Sequence, residues 1–191
     1  MKKRVFLAVI LPPSLKKELM DLQKELQNKD KNYSWRFLPE ETFHLTLIFL
    51  GYLTSEEIGK VIKISHDQAK NFSSFSVLLK ELDYGPNPLF PRLIWLKGEF
   101  NQNLNQLKIA LEKEIQKNKI NFFPEKRALI PHITLARLKN ENSIIPPREK
   151  IYQKVDFKIP VESFWLMESI LKREGAEYQP IKEFILLKNS I

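Results

Sequence analysis

The sequence predicts a mixed α+β domain built as two copies of one unit. Three observations carry this. A tetrapeptide recurs, as His44-Leu45-Thr46-Leu47 and His132-Ile133-Thr134-Leu135. The two histidines lie 88 residues apart, and the apolar patterns upstream of them align at the same offset. Each copy alternates short apolar runs with apolar residues at helical spacing, the pattern of strands interleaved with helices.

The elements follow in order. Arg4-Val5-Phe6-Leu7-Ala8 is a short apolar run and reads as a buried strand. Leu15, Leu19, Leu22 and Leu26 then share one helical face, with Ser14 as the expected N-cap. A polar stretch leads into the first His strand. Thr54 and Glu57 form a capping-box pattern for a helix carrying Ile58, Val61, Ile62 and Ala69. Residues 75–82 read as a strand. The second copy opens with Arg92-Leu93-Ile94-Trp95-Leu96, aligned at offset 88 on Arg4 to Ala8. Leu104, Leu107, Leu111 and Ile115 mark its helix, and the second His strand follows. A further helix is expected near residues 147–154, then strand-like runs at 157–171 and 184–187. Residues 86–91 and 144–147 read as loops. Each copy is therefore expected to run strand, helix, His strand, helix, strand.

Composition bounds the class. A length of 191 residues with 43% hydrophobic content suits a single globular domain over 1–191, or two small lobes sharing a core. No apolar stretch reaches membrane-spanning length, so no membrane partner is expected. Met1-Lys2-Lys3-Arg4 and the apolar residues after it faintly mimic a signal peptide. The run is short, ends at Pro12-Pro13 and lacks a small-residue cleavage site, so a first strand is the better reading. The chain has no cysteine, which excludes disulfides and leaves a cytoplasmic location as the default expectation. The net charge of +8 favours a polyanionic partner, nucleic acid first, although lysine runs such as Lys16-Lys17 also read as solvated surface.

The repeated motif carries the chemistry. Side chains of a strand alternate faces, so His44 and Thr46 share one face and Leu45 and Leu47 the other. His132 and Thr134 stand against Ile133 and Leu135 in the same way. Brought together, the two units place two imidazoles and two hydroxyls around one cavity, a set suited to acid/base work on a phosphate. His66 has no threonine partner and reads as a structural or surface residue. No H-x-H, H-x-x-x-H or H-E-x-x-H spacing occurs, so neither metal nor cofactor is expected.

Two H-x-T motifs in one small chain resemble the 2H phosphoesterase superfamily. The flanks narrow the likeness. Phe43 to Gly51 and Pro131 to Arg137 look like the first and second motifs of the bacterial and archaeal RNA 2′,3′-cyclic phosphodiesterases, also called 2′-5′ RNA ligases. Pro91 to Leu96 and Gly175-Ala176-Glu177-Tyr178 also sit where that family has similar residues. Phe43 departs from the leucine usual before the first histidine. The resemblance implies two pseudo-symmetric lobes, each an antiparallel sheet with helices on its outer face, and an active-site cleft between them. It implies metal-independent opening of an RNA 2′,3′-cyclic phosphate to a 2′-phosphate. By the same analogy His44 is the proton donor and His132 the proton acceptor, while Thr46, Thr134 and Arg137 bind the phosphate. Arg137 lies an odd number of residues from His132, so a bulge, a twist or the strand's end must bring it to the same face.

Related activities stay open at this point. One is ATP-independent 2′-5′ ligation of RNA; another is action on a small cyclic nucleotide. A non-catalytic RNA-binding module, using aromatics such as Tyr33 or Trp35, fits the charge but leaves the paired motifs unexplained. The chain is expected to act as a monomer.

Overall fold

The computed structural model describes residues 1–29, 35–125, 128–139, 151–173 and 175–188. Nine strands and three α-helices appear among them, with one 3-10 turn at Glu40–Thr42: β1 (Lys3–Ile10), α1 (Pro13–Lys29), β2 (Trp35–Phe37), β3 (His44–Leu53), α2 (Ser55–Ala69), β4 (Phe75–Gly85), β5 (Leu93–Gly98), α3 (Gln102–Lys117), β6 (His132–Leu138), β7 (Gln153–Val161), β8 (Ser163–Lys172) and β9 (Gly175–Ile185).

The strands form two antiparallel sheets, in the orders β3-β1-β8-β9 and β2-β6-β5-β4-β7. In each sheet a His strand lies beside the opening strand of its own copy: β3 on β1, β6 on β5. The next position is exchanged. β8, from the end of the chain, completes the first sheet, and β4, from the first copy, completes the second. The expected lobes are present, but each borrows its third strand from the other half of the sequence.

The helices cover one face of the sheets. Leu15, Leu19 and Leu26 of α1, Ile58 and Val61 of α2, and Leu104, Leu107, Leu111 and Ile115 of α3 join one core with Val5, Leu7, Leu45, Leu47, Leu96, Ile133 and Leu135. The leucines beside the histidines are the anchors: Leu45 and Leu135 are fully buried. Truncating either to alanine would cost about 2–5 kcal/mol. A smaller cluster, Phe6, Ala8 and Met167, lies apart from this core.

Several local expectations hold and several are corrected. The capping box at α2 is present: Glu57 N donates to Thr54 Oγ1 and Thr54 N to the Glu57 carboxylate. Ser14 is not the N-cap of α1. The helix starts at Pro13, whose fixed φ and missing N–H suit the first position, and Lys16 N bonds Pro12 O. Leu22 is only half-buried, and the polar Gln23 takes the buried place on that face. No helix forms over the described part of 147–154; residues 147–150 lie outside it, and Gln153 begins β7. Val155, Phe157, Ile159 and Val161 alternate with polar residues, and period two wins. The run 157–171 is two strands, β7 and β8, divided at Glu162. The run 184–187 is the end of the longer β9 and the residues after it. The short β2 was not anticipated. The expected loop at 86–91 is a turn region, while 144–147 and Tyr33 lie outside the described residues. Trp35 is no exposed platform: it is half-buried and stacked on Tyr84, ring centroids 5.5 Å apart.

Candidate active site

Both His strands carry a bulge at the same place. Ala8 pairs with Thr46 and Leu7 with Ile48, so Leu47 is the extra residue of β3. Trp95 pairs with Thr134 and Ile94 with Ala136, so Leu135 is the extra residue of β6. A bulge reverses the alternation of faces beyond it. Phe49 therefore joins His44 and Thr46, and Arg137 joins His132 and Thr134, on the faces that line one cavity. The odd offset of Arg137 is resolved by this bulge. The opening strands meet these motifs one residue out of step with the offset of 88: Ala8 faces Thr46, whereas Trp95 faces Thr134.

Backbone carbonyls set the histidine rings. His44 Nδ1 donates to Thr42 O at 2.7 Å, and His132 Nδ1 donates to Ile130 O at 2.9 Å. A carbonyl only accepts, so the proton stays on Nδ1 and Nε2 is the nitrogen that exchanges protons in both rings. At His44 that nitrogen lies 2.9 Å from Thr46 Oγ1, which donates to it when the ring is neutral. The imidazole and hydroxyl that share a strand face are thus in direct contact.

The environments of the two rings differ. His44 packs against Phe6 and Tyr178, each with its ring centroid 5.0 Å away. His132 lies against Trp95, also at 5.0 Å. Burial pushes the His44 pKa down to about 4, against the opposing effect of the Thr42 carbonyl. The positive field of His132, Arg137 and Lys16 adds to the lowering. In the free protein near neutrality His44 is therefore neutral.

The cavity has a volume of about 690 Å³, far more than one phosphate fills. Beyond the histidines it is lined by Arg4, Arg36, Arg137, Lys172 and Arg173, and no acidic side chain is among the described residues lining it. Arg36 stands directly opposite Arg137 across the β2–β6 pair. Arg4 donates to Ser169 Oγ at 3.1 Å, and Lys172 pairs with Glu177. Like charges placed opposite each other on a sheet repel, and an anion between them would relieve that repulsion. Gly175, Ala176 and Tyr178 line it as well, which gives the Gly175–Tyr178 segment a place in the site.

All five residues expected at the site, His44, Thr46, His132, Thr134 and Arg137, line this cavity. His66 is not among its lining residues; it is exposed on α2, beside Asp67. Phe49, Arg36 and Arg173 went unforeseen. The signal for Phe49 was the offset itself, since 49 and 137 are 88 apart. Arg36 had no local signal, because β2 is three residues long. Among the described residues no group of three His, Cys, Asp or Glu side chains is placed to hold a metal ion.

Comparisons with known proteins agree with this geometry. The profile of the family described as "LigT like Phosphoesterase" matches the chain twice, over residues 9–95 and 94–178. An RNA 2′,3′-cyclic phosphodiesterase of Thermus thermophilus is 30% identical over 186 residues, covering 96% of this chain and 90% of that one. Its counterpart of Thermotoga maritima is 28% identical, covering 94% of each. A crystal structure from Thermus thermophilus superposes with a TM-score of 0.80 at 28% identity, covering 98% of this chain and all of the other. E. coli LigT, crystallised with 3′-AMP, shares the fold with a TM-score of 0.76 at 23% identity, covering 97% of this chain and 99% of its own. With a match spanning both His strands and relatives aligned along nearly its whole length, the chain belongs to the LigT-like phosphoesterase family.

Proposed function

We propose that this protein is a metal-independent phosphodiesterase that opens the 2′,3′-cyclic phosphate at an RNA end, leaving a 2′-phosphate. The observation that carries it is the matched pair of rings, each held by a carbonyl at Nδ1 and each lining, with the threonine two residues on, one cationic cleft. The curated relatives are named for this activity. The chain would work as a cytoplasmic monomer, since one chain supplies both His strands.

In this reading His132 Nε2 takes a proton from the attacking water as its oxygen bonds to phosphorus. The bond from phosphorus to O3′ breaks, and protonated His44 gives its Nε2 proton to that leaving oxygen. The product is a 2′-phosphomonoester with a free 3′ hydroxyl. Thr46, Thr134 and Arg137 hold the non-bridging oxygens, where charge grows in the transition state. His44 must first gain a proton. The substrate's negative charge offsets the repulsion from Arg137 and Lys16, and His132, neutral as the base, adds none, so that gain is favoured.

The test is a panel of substrates assayed with EDTA present. It contains an oligonucleotide ending in a 2′,3′-cyclic phosphate, the cyclic mononucleotide and a 2′-5′-linked oligonucleotide, with the product isomer identified. The expected result is hydrolysis of the cyclic ends to the 2′-phosphate. Activity lost to EDTA and restored by a divalent metal would overturn the reading.

A further inference from the structure

One buried polar side chain lies behind the site, outside the cleft. Gln23 of α1 is 1% exposed on a face otherwise given to Leu15, Leu19 and Leu26. Its Nε2 donates to Leu38 O at 2.7 Å and to Leu135 O at 2.9 Å. Both partners are carbonyls, so the NH₂ end of the amide must face them and both of its hydrogens are used. Leu135 O also accepts from Leu38 N at 2.9 Å.

These two carbonyls are not ordinary ladder positions. Leu135 is the bulged residue of β6, and the bulge is what turns Arg137 into the cleft. Leu38 is the residue just past β2, the strand that carries Arg36 opposite Arg137. A bulge disrupts the ladder locally. Here a side chain from a helix supplies a donor at that place. It ties the bulge to the end of β2 as one unit.

We propose that Gln23 is a positioning residue for phosphate binding: by stapling Leu38 to the Leu135 bulge it aims Arg137 into the cleft. A leucine at this place would extend the apolar stripe of α1 but leave the Leu38 carbonyl without this donor. A displacement of about 1 Å in a binding group is enough to cost up to 10²-fold in rate. The inference rests on the reading of Arg137 as a phosphate ligand.

A double-mutant cycle tests it. Wild type, Gln23→Met, Arg137→Ala and the double variant are compared for kcat, KM and Tm on an oligonucleotide ending in a 2′,3′-cyclic phosphate. Met keeps the length of Gln and removes the donors. In the wild-type background Gln23→Met should lower kcat/KM by about tenfold, through kcat as well as KM. In the Arg137→Ala background it should cost less than about twofold, because nothing remains to be misaimed. The fall in Tm should be equal in both backgrounds. A purely structural role would instead give equal losses of kcat/KM in both, and that result, or no loss at all, overturns the proposal. If Gln23→Met does not fold, Gln23→Asn takes its place in the same cycle. It keeps the amide but is one methylene short, and about a threefold loss confined to the Arg137 background is expected. Full activity of Arg137→Ala would overturn the phosphate-ligand reading and this one with it. A deficient Arg137→Ala beside a silent Gln23 variant overturns this one alone.

Discussion

Phe49 and Arg137 occupy the same place in the two His strands, each two residues beyond a bulged leucine and each facing the cleft. One copy thus presents an aromatic ring, 62% exposed, where the other presents a guanidinium. The two like motifs end in unlike side chains. A nucleotide offers a π-face and a phosphate, and these two side chains match one each. Phe49→Ala should accordingly raise KM several-fold with little change in kcat, measured on a cyclic mononucleotide to isolate the effect on one base.

His44→Ala and His132→Ala should each lower kcat by roughly 10²–10⁴-fold, the contribution of one general acid or base. The double variant should fall far short of the product of the two losses, because in the proposed mechanism both rings act in one transition state. Single-turnover rates on a cyclic-phosphate oligonucleotide check this. Near-wild-type turnover in either well-folded single variant would refute the two-ring mechanism.

The acid and base roles can be separated by NMR titration of the ring protons. Free His44 should titrate near 4, since burial holds it down. With inorganic phosphate bound its pKa should rise, because the anion offsets the nearby positive charges. If His44 stays near 4 with phosphate in place, the donor role passes to His132.

How much of this was readable in advance divides along physical lines. Periodicity marked the helices, because Leu104, Leu107, Leu111 and Ile115 have little choice of face, and it marked the His strands for the same reason. Strand exchange was hidden, because β4 and β8 read alike as apolar runs whichever sheet receives them. The bulge at Leu135 was only one of several ways to turn Arg137, and no residue type announces it. Gln23 left a faint trace, a polar residue at helical spacing among leucines. Arg36 left none, since its importance comes from a partner about a hundred residues away.

Folding stability should depend on His44 in a defined window. Its pKa is about 4 in the folded protein against about 6.5 when unfolded. The unfolded chain therefore binds the proton first, and stability is lost as pH falls from about 6.5 toward 4. The loss is roughly 3 kcal/mol by linkage, and it levels off below the folded value. Urea denaturation at pH 7 and pH 4.5 measures it. His44→Asn should flatten this part of the profile.

Salt should discriminate between substrates. Arg36 lies opposite Arg137, and Arg4 and Arg173 also line the cleft; on the proposed reading they would meet phosphates beyond the reacting one. Each neutralised phosphate releases counterions, so KM for an oligonucleotide should rise steeply with salt. KM for a cyclic mononucleotide should rise much less. Arg36→Ala should weaken only the longer substrate, whereas Arg137→Ala should weaken both. Parallel salt slopes would mark the +8 charge as a matter of solubility.

The traded strands have a consequence for how this chain can come apart. β1 and β3 need β8 from the far end of the polypeptide, and β5 and β6 need β4 from the near end. A fragment holding either motif alone would expose an open sheet edge where its neighbour should lie, inviting pairing with other chains. Neither half by itself holds all the neighbours its strands have in the intact sheets. Each sheet draws strands from both ends of the polypeptide, so the placing of either histidine depends on residues far from its own motif.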